Sequence, residues 1–329
     1  MELILNTFGT SLNRDNEGFV ITNKDGRQRV PTIGIKTIQI GKGTQVTSDA
    51  IMLAIENEID VIFTDRQGMP KGRVWSYQYG SISTIRKGQL NFIYDKDAIA
   101  WIKDILSHKI SNQQATLLML PEMSDLAEEK RMIAIDKMEN YRDKILAISD
   151  GLQVSDIASQ LRGLEGSASR IYFDTINYFI PEEYRFASRT QHPAYDIFNA
   201  LLNYGYGIMY GRIEGALIKA GIDPYIGLLH RDDYNRPALV FDVIEIYRIW
   251  VDYVVLNLVS QKVINDDYYS KAEDGSCWLE QLGRRVMIQS LNDYLDEVVP
   301  AEKSELSRTR NTQIQLYAQK LAQKFVSYT

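Results

Sequence analysis

Two textures divide this chain. To about residue 92 the apolar residues come in short β-prone runs: Leu3-Ile4-Leu5, Phe19-Val20-Ile21-Thr22, Ile33-Gly34-Ile35, Thr37-Ile38-Gln39-Ile40 and Val61-Ile62-Phe63-Thr64. Turn residues separate them, as in Asn23-Lys24-Asp25-Gly26 and Gly41-Lys42-Gly43, which is how strands are punctuated. Ser48 to Glu58 changes period. Ile51, Leu53, Ala54 and Ile55 mark the buried side of a helix, with Ser48 as its N-cap. Asp65 to Gly72, with Gly68 and Pro70, reads as a hairpin connection between Phe63 and Val74. From Asp97 onward the spacing turns helical: Asp97 to Ser111, Met123 to Ile148, Val154 to Asn177, Ala194 to Ala220, Pro237 to Ile264, Leu279 to Val298 and Ala301 to Val326. Gly151, Pro181, Pro193 and Pro224 punctuate these segments. The pattern predicts an α+β protein. A small N-terminal β domain spans residues 1–92, and a larger all-α C-terminal domain spans residues 93–329.

Composition narrows the class. At 329 residues the chain is long enough for two cores. Apolar residues make up 45% and charged residues 24%, as in ordinary globular proteins. No apolar run is long enough to span a bilayer, and Met1-Glu2-Leu3-Ile4-Leu5-Asn6 lacks the basic start of a signal peptide. The single cysteine, Cys277, excludes an intrachain disulfide and a cysteine-based zinc site within one chain. A cytoplasmic protein without membrane contact is expected. The formal charge of −6 argues mildly against nucleic acid. A local basic face can still form from 37 Lys and Arg residues. The terminal segment Lys303 to Lys324 is mildly basic and reads as a solvated helix face.

Four residues carry candidate chemistry. Glu165 shares a helix side with Leu161, Ala168 and Tyr172, so a carboxylate sits on an inward stripe. A buried carboxylate needs a partner: a cation, a proton, or an ion pair with Arg162, Arg170 or a distant arginine. Asp242 and Glu245 are i,i+3 neighbours in an apolar helix. They either share a cation, or Glu245 pairs with Arg248 on a solvated face. His230, one of only three histidines, closes Gly221-Ile222-Asp223-Pro224-Tyr225-Ile226-Gly227-Leu228-Leu229-His230 just before that helix. An imidazole with two carboxylates suits a divalent ion that keeps open positions for water and phosphate oxygens. Mg²⁺ is favoured, and the imidazole also admits Mn²⁺. Zinc usually takes more nitrogen or sulfur donors. The reading is a metal-dependent enzyme acting on phosphate esters.

Ordered blocks along the chain carry a resemblance. They are Val30-Pro31 before Ile38-Gln39-Ile40, Thr64-Asp65-Arg66-Gln67-Gly68, Arg86-Lys87-Gly88-Gln89 and Lys109-Ile110-Ser111-Asn112-Gln113. The most specific are Leu164 through Phe173, Asp196 through Tyr206, and Gly221 through Arg248. In this order and spacing the chain resembles the CRISPR-associated spacer-acquisition integrases, the universal "Cas-one" adaptation nucleases. The resemblance implies a metal site of Glu165, His230 and Glu245, with Asp242 binding through water or orienting a ligand; the reverse order of Glu245 and Asp242 stays open. It implies an endonuclease and strand transferase that inserts short DNA fragments into the CRISPR array by 3′-hydroxyl attack on a phosphodiester, using Mg²⁺ or Mn²⁺. Implied partners are double-stranded DNA with 3′-hydroxyl ends, CRISPR repeat DNA, a second copy in a homodimer, and a dimer of a small second adaptation protein.

DNA contacts are less local. Arg66 and Arg73 flank the hairpin loop, and Arg162, Arg170, Arg189, Arg231, Arg236 and Arg248 lie near the metal blocks. They are candidates for phosphate contact, although some will orient carboxylates instead. The resemblance also implies an aromatic residue of the β domain bracing the duplex end, with Phe19 and Tyr77 as candidates. Two other readings compete: a metal-dependent phosphodiesterase or transposase-like nuclease outside CRISPR, and a non-catalytic scaffold of a nucleoprotein complex.

Overall fold

The computed structural model describes residues 2–16, 18–65, 70–74, 82–121, 123–149, 153–230, 236–301 and 304–329. The chain forms two compact units, residues 1–79 and residues 80–329. The fold is α+β, as the two textures predict.

The first unit holds two four-stranded sheets. In one, β1 (Glu2–Leu5) pairs in parallel with β5 (Thr37–Ile40), which pairs in parallel with β7 (Asp60–Thr64). The edge strand β8 (Pro70–Arg73) runs antiparallel to β7, Ile62 facing Arg73, so the expected hairpin is present. The other sheet is the antiparallel meander β2 (Ser11–Asp15), β3 (Gly18–Asn23) and β4 (Gly26–Val30), with the short β6 (Gln45–Val46) parallel to β2. Helix α1 (Ser48–Glu56) is capped by Thr47, whose Oγ1 accepts from the Ala50 N–H at 3.3 Å, one residue before the cap expected from sequence. Leu12, Phe19, Ile38, Ile40, Ala54 and Val61 fill the core. Ile33-Gly34-Ile35 makes no strand. Gly34 has φ +84°, and the Ile35 N–H donates to the Thr32 carbonyl at 3.1 Å, which is a turn. Phe19 is fully buried in this core, so it cannot brace a DNA end as the structure stands. Tyr77 lies outside the described residues.

The second unit begins earlier than residue 93. Helix α2 (Ile82–Ile93), which the sequence pattern left in the β domain, packs against α10 (Arg310–Val326). Its apolar stripe is interrupted by Gly88 and Gln89, and both are buried. Gly88 is a close-approach residue: a Cβ there would lie 1.8 Å from the Phe325 carbonyl oxygen. Gly88→Ala is expected to lower stability by about 1–3 kcal/mol through overpacking, visible as a reduced Tm.

Helix α3 (Lys96–Met119) is the hub, with α4 (Asp125–Leu146), α5 (Val154–Ile176), α7 (Ala238–Ile244) and α8 (Arg248–Ser260) packed around it. Being surrounded, it buries polar residues as well as apolar ones: Lys109, Gln113 and Thr116 stand beside Ile102, Ile105 and Ile110. Helix α6 (Ile197–Lys219) starts at Asp196, whose carboxylate accepts from the Asn199 N–H at 2.7 Å. It ends in a Schellman motif: the Ile222 N–H donates to the Leu217 carbonyl and the Gly221 N–H to the Ile218 carbonyl, with Gly221 at φ +83°. That turn launches the segment ending at His230.

The segment Pro237 to Ile264 is not one helix. The N–H groups of Ile246 and Tyr247 reach back only three residues, to Val243 and Ile244, and this tight turn separates α7 from α8. Two hairpins interrupt the helical unit: β9 (Tyr269–Lys271) with β10 (Cys277–Leu279), and β11 (Val298–Ala301) with β12 (Ser304–Thr309). Between them lies α9 (Gln281–Asp296). The C-terminal unit is therefore mostly, not wholly, helical, and the last helix starts at Arg310 rather than Ala301. Among the described residues, no helix is long and apolar enough to cross a membrane.

Candidate active site

Four helices and one loop converge on a buried charged cluster. From α5, Glu165 sits where its periodicity put it: Leu161, Ala168 and Tyr172 on the same side are fully buried. Its partner is neither Arg162 nor Arg170. It is Lys109 of α3, whose Nζ contacts Glu165 Oε1. Ser169 Oγ donates to the same oxygen at 2.7 Å, and Gln113 Nε2 donates to Ser169 Oγ at 3.3 Å. The Lys109 ammonium also contacts Glu245 Oε2. One ammonium thus bridges two carboxylates that are remote in sequence.

Glu245, the C-cap of α7, is 5% exposed. Its other oxygen accepts from Arg248 Nε at 2.8 Å. The expected Glu245–Arg248 pair exists, but it is buried rather than on a solvated face, because α3 and α6 cover this side. Burial alone would push the Glu245 carboxyl up. The Arg248 guanidinium, the Lys109 ammonium and, more weakly, His230 overcome that and hold it at about 2. The folded value lies below the ordinary 4.5, so these pairs stabilise the fold fully above the ordinary carboxylate range. That contribution is lost as pH falls towards 2. Burial would lower the Lys109 ammonium as well, but Glu165 and Glu245 hold it above its ordinary value.

Asp242 has a different task. Its side chain is completely buried. Oδ2 accepts from the backbone N–H groups of Leu228 at 2.6 Å and Leu229 at 3.2 Å, and Oδ1 from the His230 N–H at 3.0 Å. His230 Nδ1 lies 2.7 Å from Oδ1. A carboxylate only accepts, so Nδ1 carries the proton of this pair and Nε2 is the nitrogen left for a ligand. Arg162 clamps the same segment, Nη1 donating to the Leu229 carbonyl at 2.6 Å. From α2, Gln89 donates to the carbonyls of Asp223 at 2.8 Å and Ile226 at 3.1 Å, fixing the start of the loop.

The donor set matches a divalent cation. Two carboxylate oxygens already face one positive charge, and the histidine is oriented by a carboxylate on its other nitrogen, as metal-binding imidazoles usually are. Among the described residues no three His, Cys, Asp or Glu side chains are gathered into a complete metal cluster. Two of the three are gathered, around Lys109.

A family profile described as "CRISPR associated protein Cas1" matches residues 3–293. The chain belongs to the Cas1 family. It is 33% identical over 308 residues to the "CRISPR-associated endonuclease Cas1 1" of Archaeoglobus fulgidus, covering 90% of this chain and 88% of that protein. A CAS1 protein from Thermotoga maritima shares the fold, with TM-score 0.80, 21% identity, and coverage of 99% of this chain and 96% of that one. A chain of a "Cas6-RT-Cas1–Cas2 complex" aligns with TM-score 0.79 and 25% identity, covering 99% of this chain and 35% of that one.

In this Cas1-family chain the candidate phosphate-contacting arginines divide. Arg162 is engaged with Leu229. Arg189 donates to Asn199 Oδ1 at 2.8 Å and Asn203 Oδ1 at 2.6 Å. Arg248 donates to Glu245 and to Tyr210 Oη, at 3.1 Å for the latter, and lies over the Tyr206 ring. These three orient groups inside the protein. Arg170 and Arg236 are exposed, and Arg73 is half-buried on β8. Arg66 and Arg231 lie outside the described residues.

Lys109 was missed as a site residue, although its block contributed to the resemblance. Its signal is a lysine four residues after Ile105 and seven after Ile102, on a buried stripe. Asp252 was also passed over. It is 2% exposed, and Tyr206 Oη donates to it. Burial pushes its carboxyl up to about 6, against the Tyr206 and Tyr172 hydroxyls and the nearby arginines. Its folded value exceeds the ordinary 3.8, so its contribution is full below that value and is lost as pH rises through about 6. Asp252→Asn should flatten the fall in Tm between pH 4 and pH 7, an effect of about 3 kcal/mol.

Proposed function

We propose that this chain is a CRISPR-adaptation DNA endonuclease and strand transferase, acting in the cytoplasm, with Glu165, His230 and Glu245 holding Mg²⁺ or Mn²⁺. One observation carries the proposal: two glutamates from separate helices point at one shared positive charge, beside a histidine whose Nδ1 is held by Asp242. The family membership and the relative named an endonuclease support the same reading.

When bound, the divalent cation supplies electrophilic activation of the phosphoryl group and stabilises its transition-state charge. The protein's own groups prepare for this. Arg248 keeps Glu245 ionised, Ser169 and Gln113 fix Glu165, and Asp242 leaves His230 Nε2 to bind or to move a proton. In strand transfer the 3′-hydroxyl oxygen of a short duplex forms a new P–O bond in the repeat strand. The attacking hydroxyl gives up its proton as the old P–O bond breaks, and the leaving oxygen takes a proton to become a new 3′-hydroxyl. Water in place of the attacking hydroxyl gives cleavage. No protein nucleophile is needed.

The working assembly is a homodimer that binds a dimer of the small second adaptation protein. The similar chain from a complex named for Cas1 and Cas2 supports that partner. The test is joining of a 3′-hydroxyl duplex to repeat-containing DNA, with and without the second protein. Activity should require Mg²⁺ or Mn²⁺ and vanish in EDTA, and DNA affinity should fall steeply with salt. Strand transfer that survives in EDTA would refute the metal assignment.

A further inference from the structure

Resting on that metal-site reading, we infer that Lys109 is a resident counter-ion that stands in for the divalent cation and must be displaced when the cation binds. The ammonium contacts one oxygen of each glutamate, and its side chain is 8% exposed on α3, the helix that α4, α5, α7 and α8 surround. So buried an ammonium is tolerated because both carboxylates hold it.

The charge count explains why such a residue is useful. Lys109 and Arg248 carry two positive charges against the two negative charges of Glu165 and Glu245. These four charges therefore cancel before any metal arrives, while Asp242 beside them is met by three backbone N–H groups and His230. Without Lys109, the half-buried Glu165 and the buried Glu245 carboxylates would face each other with only Glu245 paired, to Arg248, and the repulsion would act against packing. Lys109 thus keeps the site assembled in the metal-free protein. The same balance weakens metal binding, because a dication entering an already neutral site must first break two ion pairs.

Gln113 sits one turn further along α3 and reaches the same site through Ser169. It supports Ser169, whose hydroxyl donates to the same Glu165 oxygen as Lys109, so Glu165 keeps that hydrogen bond when the ammonium leaves. Glu245 likewise keeps Arg248. Each glutamate therefore has one permanent partner and shares one replaceable partner. This division singles out Lys109, rather than Arg248, as the charge that yields.

The test is Mn²⁺ binding to the full chain, by calorimetry and by electron paramagnetic resonance, in the parent, Lys109→Met, Lys109→Gln and Glu245→Gln. Removing the lysine charge should tighten Mn²⁺ about tenfold or more. It should also lower the Tm in EDTA and enlarge the rise in Tm on adding Mn²⁺. Lys109→Gln guards against a packing defect peculiar to methionine. If the neutral variants fold only with Mn²⁺ present, the inference is equally supported. If they bind Mn²⁺ no tighter than the parent, or fail to fold even with saturating Mn²⁺, Lys109 is not a stand-in for the metal and the inference is overturned. Failure of the underlying metal-site reading looks different: the parent would bind no Mn²⁺, or Glu245→Gln would bind it as well as the parent.

Discussion

Glu245→Gln is expected to reduce both strand transfer and DNA cleavage by about 10²- to 10³-fold, the scale seen when one preorganised electrostatic group is removed from a reaction centre. The substitution keeps the shape of the side chain and removes its charge. In the native protein one Glu245 oxygen meets Arg248 and the other meets Lys109, all in a buried setting. The neutral amide leaves both cations under-compensated, at a stability cost of about 3–5 kcal/mol for breaking a buried pair. Activity must therefore be measured well below the variant's Tm, with circular dichroism confirming the fold. Glu165→Gln should lose activity similarly but cost less stability, because Glu165 is about 20% exposed and Ser169 can still donate to it. A Glu245→Gln protein that is folded and fully active would remove Glu245 from the reaction centre.

Asp242→Ala is expected to show the largest loss of stability. Three backbone N–H groups and the imidazole Nδ1 all depend on its carboxylate. Each buried donor left unpaired costs about 1–3 kcal/mol. Together they take a large part of a typical stability of about 5–15 kcal/mol. The Tm should fall by about 10 °C or more, and the segment ending at His230 should lose its place. Asp242→Asn keeps one acceptor oxygen, so it should be intermediate in stability and poor in activity. Mn²⁺ affinity separates the roles of the two acidic residues. Loss in Glu245→Gln with near-retention in Asp242→Asn assigns the ligand to Glu245, and the reverse result assigns it to Asp242.

The β-prone runs at residues 3–5, 19–22, 37–40 and 61–64 all became strands, and the long periodic segments became α3 to α6. A polar residue on an apolar stripe was the productive signal: Glu165 stands beside the fully buried Leu161, Ala168 and Tyr172, as that signal placed it, whereas the burial of Asp242 was left open. The pattern failed where a stripe was broken by residues that are buried without being apolar. In α2, Gly88 is buried because α10 presses against it, and Gln89 because it binds a loop carbonyl. The β11–β12 hairpin was read as the start of a helix because its neighbours on both sides are helical. Arg162 and Arg189 looked like DNA contacts, but a carbonyl and two asparagines that no nearby residue announces hold them inside.

Local order alone determined that this chain would be α+β, that a carboxylate would sit inward on α5, and that acidic residues and a histidine would stand close together before α8. Periodicity can do this because it reports which face of an element turns away from water. Only the tertiary structure decided what meets that face. It brought Lys109 between Glu165 and Glu245, and it gave Asp242 to the backbone and His230 while leaving Glu245 to the charged cluster. These outcomes depend on contacts between segments far apart in the chain, and a buried charge accepts whichever remote partner the packing supplies.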